Sequence, residues 1–486
     1  MKKYYFVFFS LAVILQAQNK ISLHQSESDY YSRFENLENI NAVRQSEKIF
    51  KIHSAGSLKK TVIGFLPWWE YASGSYNNLR YDLLTHIAVA FFQSDGEGNL
   101  SSPPYWPWTN LINRAKNNNI KLVMSVSNFD PAQIHKLLTV NEMQDKLFAE
   151  IADTIRIYNF AGINIDFENL LASDRGTLIN NFMKSLGDYL KSLYNVEVSF
   201  DSPAVNNGGW DFTALSNSCD YLFVMGYDFY GSSSTTTGPS APLTGAVASI
   251  TNSFKQYYGN VQSDKLILGV PYYGNYWRTD SQSPYASVTP YDSARSSNDW
   301  VAPVLRYNEI IPKYSSGQKM WDIVSGTPWI RWQDTRWNQI WYDDENSLSD
   351  KLNFALTKKL KGIGIWALGY DDGRTELWNA IESKLVTGIE KQKNSLPDKI
   401  ILHQNFPNPF NPSTVISFEL PAPAFVSLNV YDQLGRKVAA LSNGFQQAGL
   451  HKFVYDIKNM SSASGIYFYI LSDGINQIVK KMIFLK

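Results

Sequence analysis

The chain has 486 residues, enough for two or three domains at the usual domain size, which excludes a single small binding module. Apolar residues make up 44% and charged residues 18%, ordinary globular proportions that exclude wholesale disorder. Its 44 Lys and Arg cancel its 44 Asp and Glu, so the positive field needed for a sequence-independent grip on nucleic-acid phosphates is absent, and with Cys219 as sole cysteine there is no internal disulfide and no Cys-rich metal site.

Lys2 and Lys3 precede an apolar run over 4–15, and a small residue, Ala17, stands before Gln18. This pattern predicts a secretory signal peptide over 1–17, too short to span a bilayer, and no other span is apparent. Residues 18–60 read as a polar leader with some helix at most, to which no function is assigned. From Thr61 the pattern changes to apolar runs rich in β-branched and aromatic residues: 61–69, 85–93, 121–129, 162–168, 196–203, 221–228, 265–273 and 362–368. Helical spacing fills most of the gaps; after the fourth run Leu178, Phe182, Met183, Leu186, Leu190 and Leu193 recur at three- and four-residue intervals, giving one apolar stripe. Strands apolar on both faces, alternating with helices, predict an α/β fold, a (β/α)8 TIM barrel over 61–386. An open doubly wound sheet is the alternative.

The stretch between the seventh and eighth runs is too long for a loop and holds seven of the 14 Trp; it predicts an inserted subdomain over about 275–340. A polar linker, 387–399, leads to residues 400–486, which lack Trp and alternate in character over 426–431, 452–455, 466–471 and 479–485. That predicts a small all-β sandwich.

The fourth run reads Ala161-Gly162-Ile163-Asn164-Ile165-Asp166-Phe167-Glu168. Alternation sends Asn164, Asp166 and Glu168 to one face and Ile163, Ile165 and Phe167 to the other. At the carboxyl end of a barrel strand such acids face the place where active sites form, and two partly buried carboxylates side by side push one pKa toward neutrality, as a general acid requires. A solvated acidic pair at a strand end is the competing explanation of the spacing alone. The six histidines lack H-E-x-x-H or similar spacing, and no phosphate loop or G-x-S-x-G elbow occurs; no metal and no cofactor is expected. Trp68, Trp69, Trp210, Tyr273 and Trp277 lie near strand ends, where their faces could stack on sugars or pack in the core.

The fourth run resembles the D-G-x-D-x-D-x-E signature of family-18 glycoside hydrolases. Met225-Gly226-Tyr227-Asp228 resembles that family's M-x-Y-D, Gly269-Val270-Pro271-Tyr272-Tyr273-Gly274 its G-x-P-x-Y-G, and Gly364-Ile365-Trp366-Ala367-Leu368 carries its floor tryptophan. The resemblance covers about residues 61–386. It implies a retaining hydrolysis in which the substrate's own 2-acetamido group is the nucleophile: Glu168 as acid and base, Asp166 orienting the acetamido N–H, Tyr227 holding its oxygen, Asp228 on the same sugar and Trp366 beneath it. Asn164, Met225, Tyr273, Trp68 and Ser125 complete the implied substrate-binding set. The sequence departs from the signature at Ala161 and Asn164, where the family has Asp, and at Ser125-Val126-Ser127-Asn128, where it has S-x-G-G. The N-I-D-F-E form looks like branches of the family tied to bacterial cell-wall lysis.

At the C-terminus, His403 to Ser413 (H-Q-N-F-P-N-P-F-N-P-S), Val430 to Arg436 and Gly465 to Tyr469 resemble the sorting domain read by the type IX secretion system. Taken with the export signal, this implies a protein secreted or displayed on the outer surface, with that machinery and an N-acetylated polysaccharide or glycan as partners. The function implied is cleavage of β-1,4 bonds of N-acetylglucosamine-containing glycans: chitin, peptidoglycan or an N-glycan core. The alternative is a barrel that binds carbohydrate without cutting it.

Overall fold

The computed structural model describes residues 22–33, 57–231, 234–245, 248–289, 304–311, 317–387, 399–446, 448–457, 464–473 and 477–485; the signal peptide over 1–17 and nearly all of the 387–399 linker lie outside them. The chain divides into two compact units, residues 1–388 and 389–486. Among the described residues no helix is long and apolar enough to cross a membrane.

In the first unit the eight apolar runs are eight strands: β1 (Thr61–Pro67), β2 (His86–Ser94), β3 (Lys121–Asn128), β4 (Gly162–Phe167), β5 (Glu197–Pro203), β6 (Tyr221–Met225), β7 (Leu266–Pro271) and β8 (Gly362–Trp366). All neighbours pair in parallel, and β8 pairs β1 while β1 pairs β2, so the sheet closes into a barrel. Closure explains why these strands are apolar throughout: one face packs against the surrounding helices, the other fills the barrel. The stripe seen after the fourth run is the helix Thr177–Leu193, with Phe182, Met183, Leu186 and Leu190 buried. An open sheet is thereby excluded.

The seam between β8 and β1 has no room for a side chain at Gly362. A Cβ there would lie 1.9 Å from the Thr61 carbonyl oxygen, and a backbone carbonyl cannot swing aside as a side-chain tip can. Gly362→Ala is therefore expected to destabilise the barrel by more than the about 1–3 kcal/mol of ordinary overpacking, read as a fall in the thermal midpoint followed by circular dichroism.

The residues between β7 and β8 build an antiparallel five-stranded sheet, Tyr273–Thr279, Leu305–Arg306, Gln318–Asp322, Thr327–Gln333 and Trp337–Tyr342. Its own core is Trp277, Trp329 and Trp341, with the last two stacked at 5.2 Å. Trp277, one of the residues that could have stacked on sugar, is thus a packing residue.

The second unit holds two antiparallel sheets. One contains Ile401–Leu402, Ser413–Leu420 and Gly449–Asp456; the other contains Ala424–Tyr431, Lys437–Gln446, Gly465–Ser472 and Gln477–Phe484. Their alternating inward residues, among them Ile416, Phe418, Val426, Leu428, Val430, Tyr469 and Met482, form a separate core.

Candidate active site

Strand pairing fixes the layers inside the barrel. On the β3–β4 ladder Ser125 is level with Asn164 and Ser127 with Asp166; Asn164 is in turn level with Ser199 on β5. In the lower layer Ser125 Oγ donates to Asn164 Oδ1 at 2.9 Å, and Asn164 Nδ2 donates to Asp201 Oδ1 at 2.7 Å. Asn164 and Ser125 are fully buried and engaged with each other, so they sit under the site and brace it.

Above them, Asp166 is fully buried, and Glu168 stands at the strand's end, 12% exposed. The Glu168 backbone N–H donates to the Asn128 carbonyl at 3.1 Å, which pins the end of β4 to β3. Burial, then the Asp166 charge, raises the Glu168 pKa above the ordinary carboxylate value. Tyr227 and Trp366 face the same space, Tyr227 from just beyond β6 and Trp366 from the end of β8; both are buried. Asp228 takes a left-handed conformation with φ 61°, its N–H donating to Ser240 Oγ, which itself donates to the Tyr273 hydroxyl at 3.1 Å. Met225 closes β6, half-buried. Trp68 is buried edge-on against Trp69, and Trp210 stacks on Phe212.

Asp201 went unnoticed in the sequence. It is buried on β5, and its pKa is driven well above the ordinary value by burial and then by the Asp166 charge. The protonatable acid that the signature places at 164 is absent there, yet Asp201, the next inward position after Ser199 on the adjacent strand, accepts from Asn164. Alternation in Glu197-Val198-Ser199-Phe200-Asp201 could have revealed it, since Ser199 and Asp201 share the inward face.

The larger surprise is the leader. Residues Leu23–Tyr31 form a helix capped by Ser22, whose Oγ accepts from the Gln25 N–H. Leu23, His24, Glu27, Ser28 and Tyr31 make its buried face. His24 lies in the middle of the site. Its Nδ1 is 2.9 Å from Asp166 Oδ2 and 3.3 Å from Glu168 Oε1, its Nε2 is 3.1 Å from the Tyr227 hydroxyl, and its ring stacks on Trp366 at 3.7 Å. Burial alone would lower the His24 pKa, but the charges of Asp166 and Glu168 and the bonds to both hold it well above the usual imidazole value. The two carboxylates on its Nδ1 side favour the charged form of the ring.

Glu27 accepts from Trp366 Nε1 at 2.8 Å and from the Tyr370 hydroxyl at 2.6 Å, and burial lifts its pKa to about 7. Tyr31 stacks on Trp69 at 4.7 Å and accepts from Arg306 Nη2 at 2.8 Å; the same guanidinium pairs with buried Glu70 at 2.7 Å. Residues 18–60, to which the sequence assigns no function, thus include a helix that docks in the site. A nine-residue polar helix carries no sequence pattern of its own.

His24, Asp166 and Asp201 bring possible ligand atoms within 4.8 Å of one another. His24 Nδ1 and Nε2 are bonded to Asp166 and Tyr227, and Asp201 Oδ1 accepts from Asn164.

Acids gathered in this way at the carboxyl mouth of a closed parallel barrel place the chain in the barrel-glycosidase class. Residues 61–371 match Glycosyl hydrolases family 18, and the chain belongs to that family. It is 24% identical over 304 residues to the cortical fragment-lytic enzyme of Bacillus subtilis (strain 168), covering 59% of this chain and 65% of that one. It is 26% identical over 252 residues to di-N-acetylchitobiase of Homo sapiens, covering 46% and 64%. The aligned parts thus span under two thirds of these relatives. The Ostrinia furnacalis Group IV chitinase, solved in complex with allosamidin, superposes with a TM-score of 0.59 at 20% identity over 67% of this chain and 97% of that one, a likeness of fold. Residues 404–485 match a Secretion system C-terminal sorting domain, which marks the chain for type IX export to or beyond the cell surface.

Proposed function

We propose that the barrel hydrolyses β-1,4 bonds of N-acetylglucosamine-containing glycans outside the cell by substrate-assisted, retaining catalysis. The observation that carries this reading is the convergence of Asp166, Glu168 and Tyr227 over the indole of Trp366, with Glu168 at the rim and Asp166 fully enclosed. A buried carboxylate can accept the acetamido N–H and stabilise the positive charge that develops as the acetamido oxygen closes on the anomeric carbon. The bond to the leaving oxygen breaks as Glu168 delivers its proton, and the same carboxylate then takes a proton from the water that opens the oxazolinium ring. Tyr227 directs the acetamido oxygen, and Trp366 is the apolar floor. Asn164 and Ser125 serve from beneath through the polar layer that holds Asp201. Tyr273, through Ser240, positions the Asp228 turn.

The substrate class follows from the nucleophile: a sugar without the N-acetyl group offers none. The relatives' names, a cortical fragment-lytic enzyme and a di-N-acetylchitobiase, support peptidoglycan and chitin fragments as the first substrates to try. The test is product release from chitotetraose, peptidoglycan and high-mannose glycopeptide by the full chain and by the leader variant described below. Cleavage of at least one, with the β-anomer as first product by NMR, is expected. Binding without product on all three would replace the enzyme reading by a carbohydrate-binding one, and an α-anomeric first product would remove the retaining mechanism.

A further inference from the structure

We propose that residues 22–31 are an inhibitory pro-segment whose His24 occupies the position of the reacting sugar, so that the full-length chain is latent. The proposal rests on the reading of the site as one for N-acetylated sugars and adds a regulator to it.

Three independent contacts carry it. First, His24 occupies the groups that the reaction's intermediate would bond, Asp166 and Tyr227. The His24 imidazole is a flat five-membered ring, as an oxazolinium ring is, and it bonds Asp166, approaches Glu168, reaches Tyr227 and lies flat on Trp366. Secondly, Glu27 takes up the Trp366 Nε1–H and the Tyr370 hydroxyl, two donors pointing into the floor of the cleft. Thirdly, Tyr31 covers Trp69 and is clamped by Arg306, with the guanidinium 5.3 Å above the Tyr31 ring. Ser22 adds a side-chain bond to Glu168, and Gln25 accepts from Asn169 Nδ2 at 3.1 Å. No sugar can stack on Trp366 while His24 does.

A random encounter of a polar segment with a cleft would leave buried charges unmatched, at considerable cost. Here the cation faces two carboxylates, and the buried Glu27 carboxyl has two donors. The helix sits in the site as a ligand would, and it arrives from the same chain.

The consequence is a binding equilibrium in which sugar competes with the leader, so that apparent affinity is reduced by the fraction of molecules that are open. The test uses the full mature chain in three forms: wild type, the double variant His24→Ala with Glu27→Ala, and Asp29→Ala on the exposed side of the helix. Binding of chitotetraose is measured by calorimetry, and hydrolysis by reducing-end release. The double variant is expected to bind about tenfold tighter or more and to turn over correspondingly faster at low substrate, while Asp29→Ala behaves as wild type. A synthetic peptide of residues 22–33 added to the double variant is expected to restore the block, and the same peptide carrying His24→Ala is not. The peptide arm separates displacement of a plug from any loss of folding.

Equal binding by wild type and double variant overturns the proposal, as does failure of the peptide to compete. Tighter binding by the double variant without hydrolysis sustains the plug and removes the hydrolase reading. Failure of every form to bind N-acetylated oligosaccharide removes both.

Discussion

Glu168→Gln, made alongside a parent in the same leader state, is expected to lower turnover by about a hundred- to ten-thousand-fold, the range that a positioned proton donor supplies, while leaving oligosaccharide binding near that of the parent. The amide keeps the shape of the carboxyl and its place at the end of β4 but can neither give up nor recover a proton. The pH profile provides a second check. Glu168 must hold its proton to act as the acid, and burial together with the Asp166 charge raises its pKa; the parent's rate is therefore expected to fall as pH climbs through that raised value, and the residual rate of Glu168→Gln to lack this alkaline limb. An unchanged kcat in the variant would move the acid elsewhere, with Asp201 the next group to test.

The second large effect concerns stability. Lys351, on the helix Glu345–Thr357 that precedes β8, pairs with Asp343 just after the last strand of the inserted sheet; the two side chains are 0% and 3% exposed. Removing one partner strands the other charge in the interior, which costs about 3–5 kcal/mol. Lys351→Met is expected to show that loss in urea unfolding of the first unit, and the double variant Lys351→Met with Asp343→Leu to recover most of it, because an apolar pair of similar volume carries no desolvation penalty. A double variant as unstable as the single one would mean that the pair holds the insertion to the barrel through its charge.

The barrel was legible because closure demands strands buried on both faces, and all eight apolar runs became strands. The acids on β4 were legible through alternation, and Trp366 only through the family resemblance of its strand. The inserted sheet was read as a subdomain, and its tryptophans proved to divide between that sheet's own core, as with Trp277, and exposed edges, as with Trp321. Asp201 lay within reach of the alternation argument and was passed over because one inward acid among small polar residues makes no motif. His24 was not legible at all. It is 142 positions from Asp166, on a helix whose only signals are a serine cap and five residues that find cover elsewhere, and neither spacing nor composition can report a contact made by tertiary docking.

Covalent linkage has a further consequence for the leader helix. The helix belongs to the same chain as the cleft, so its docking is intramolecular and diluting the protein leaves occupancy unchanged. A single cut between residues 33 and 57 would make the association bimolecular, and the helix would then be lost on dilution. One nick would convert a concentration-independent block into one that dispersal alone undoes.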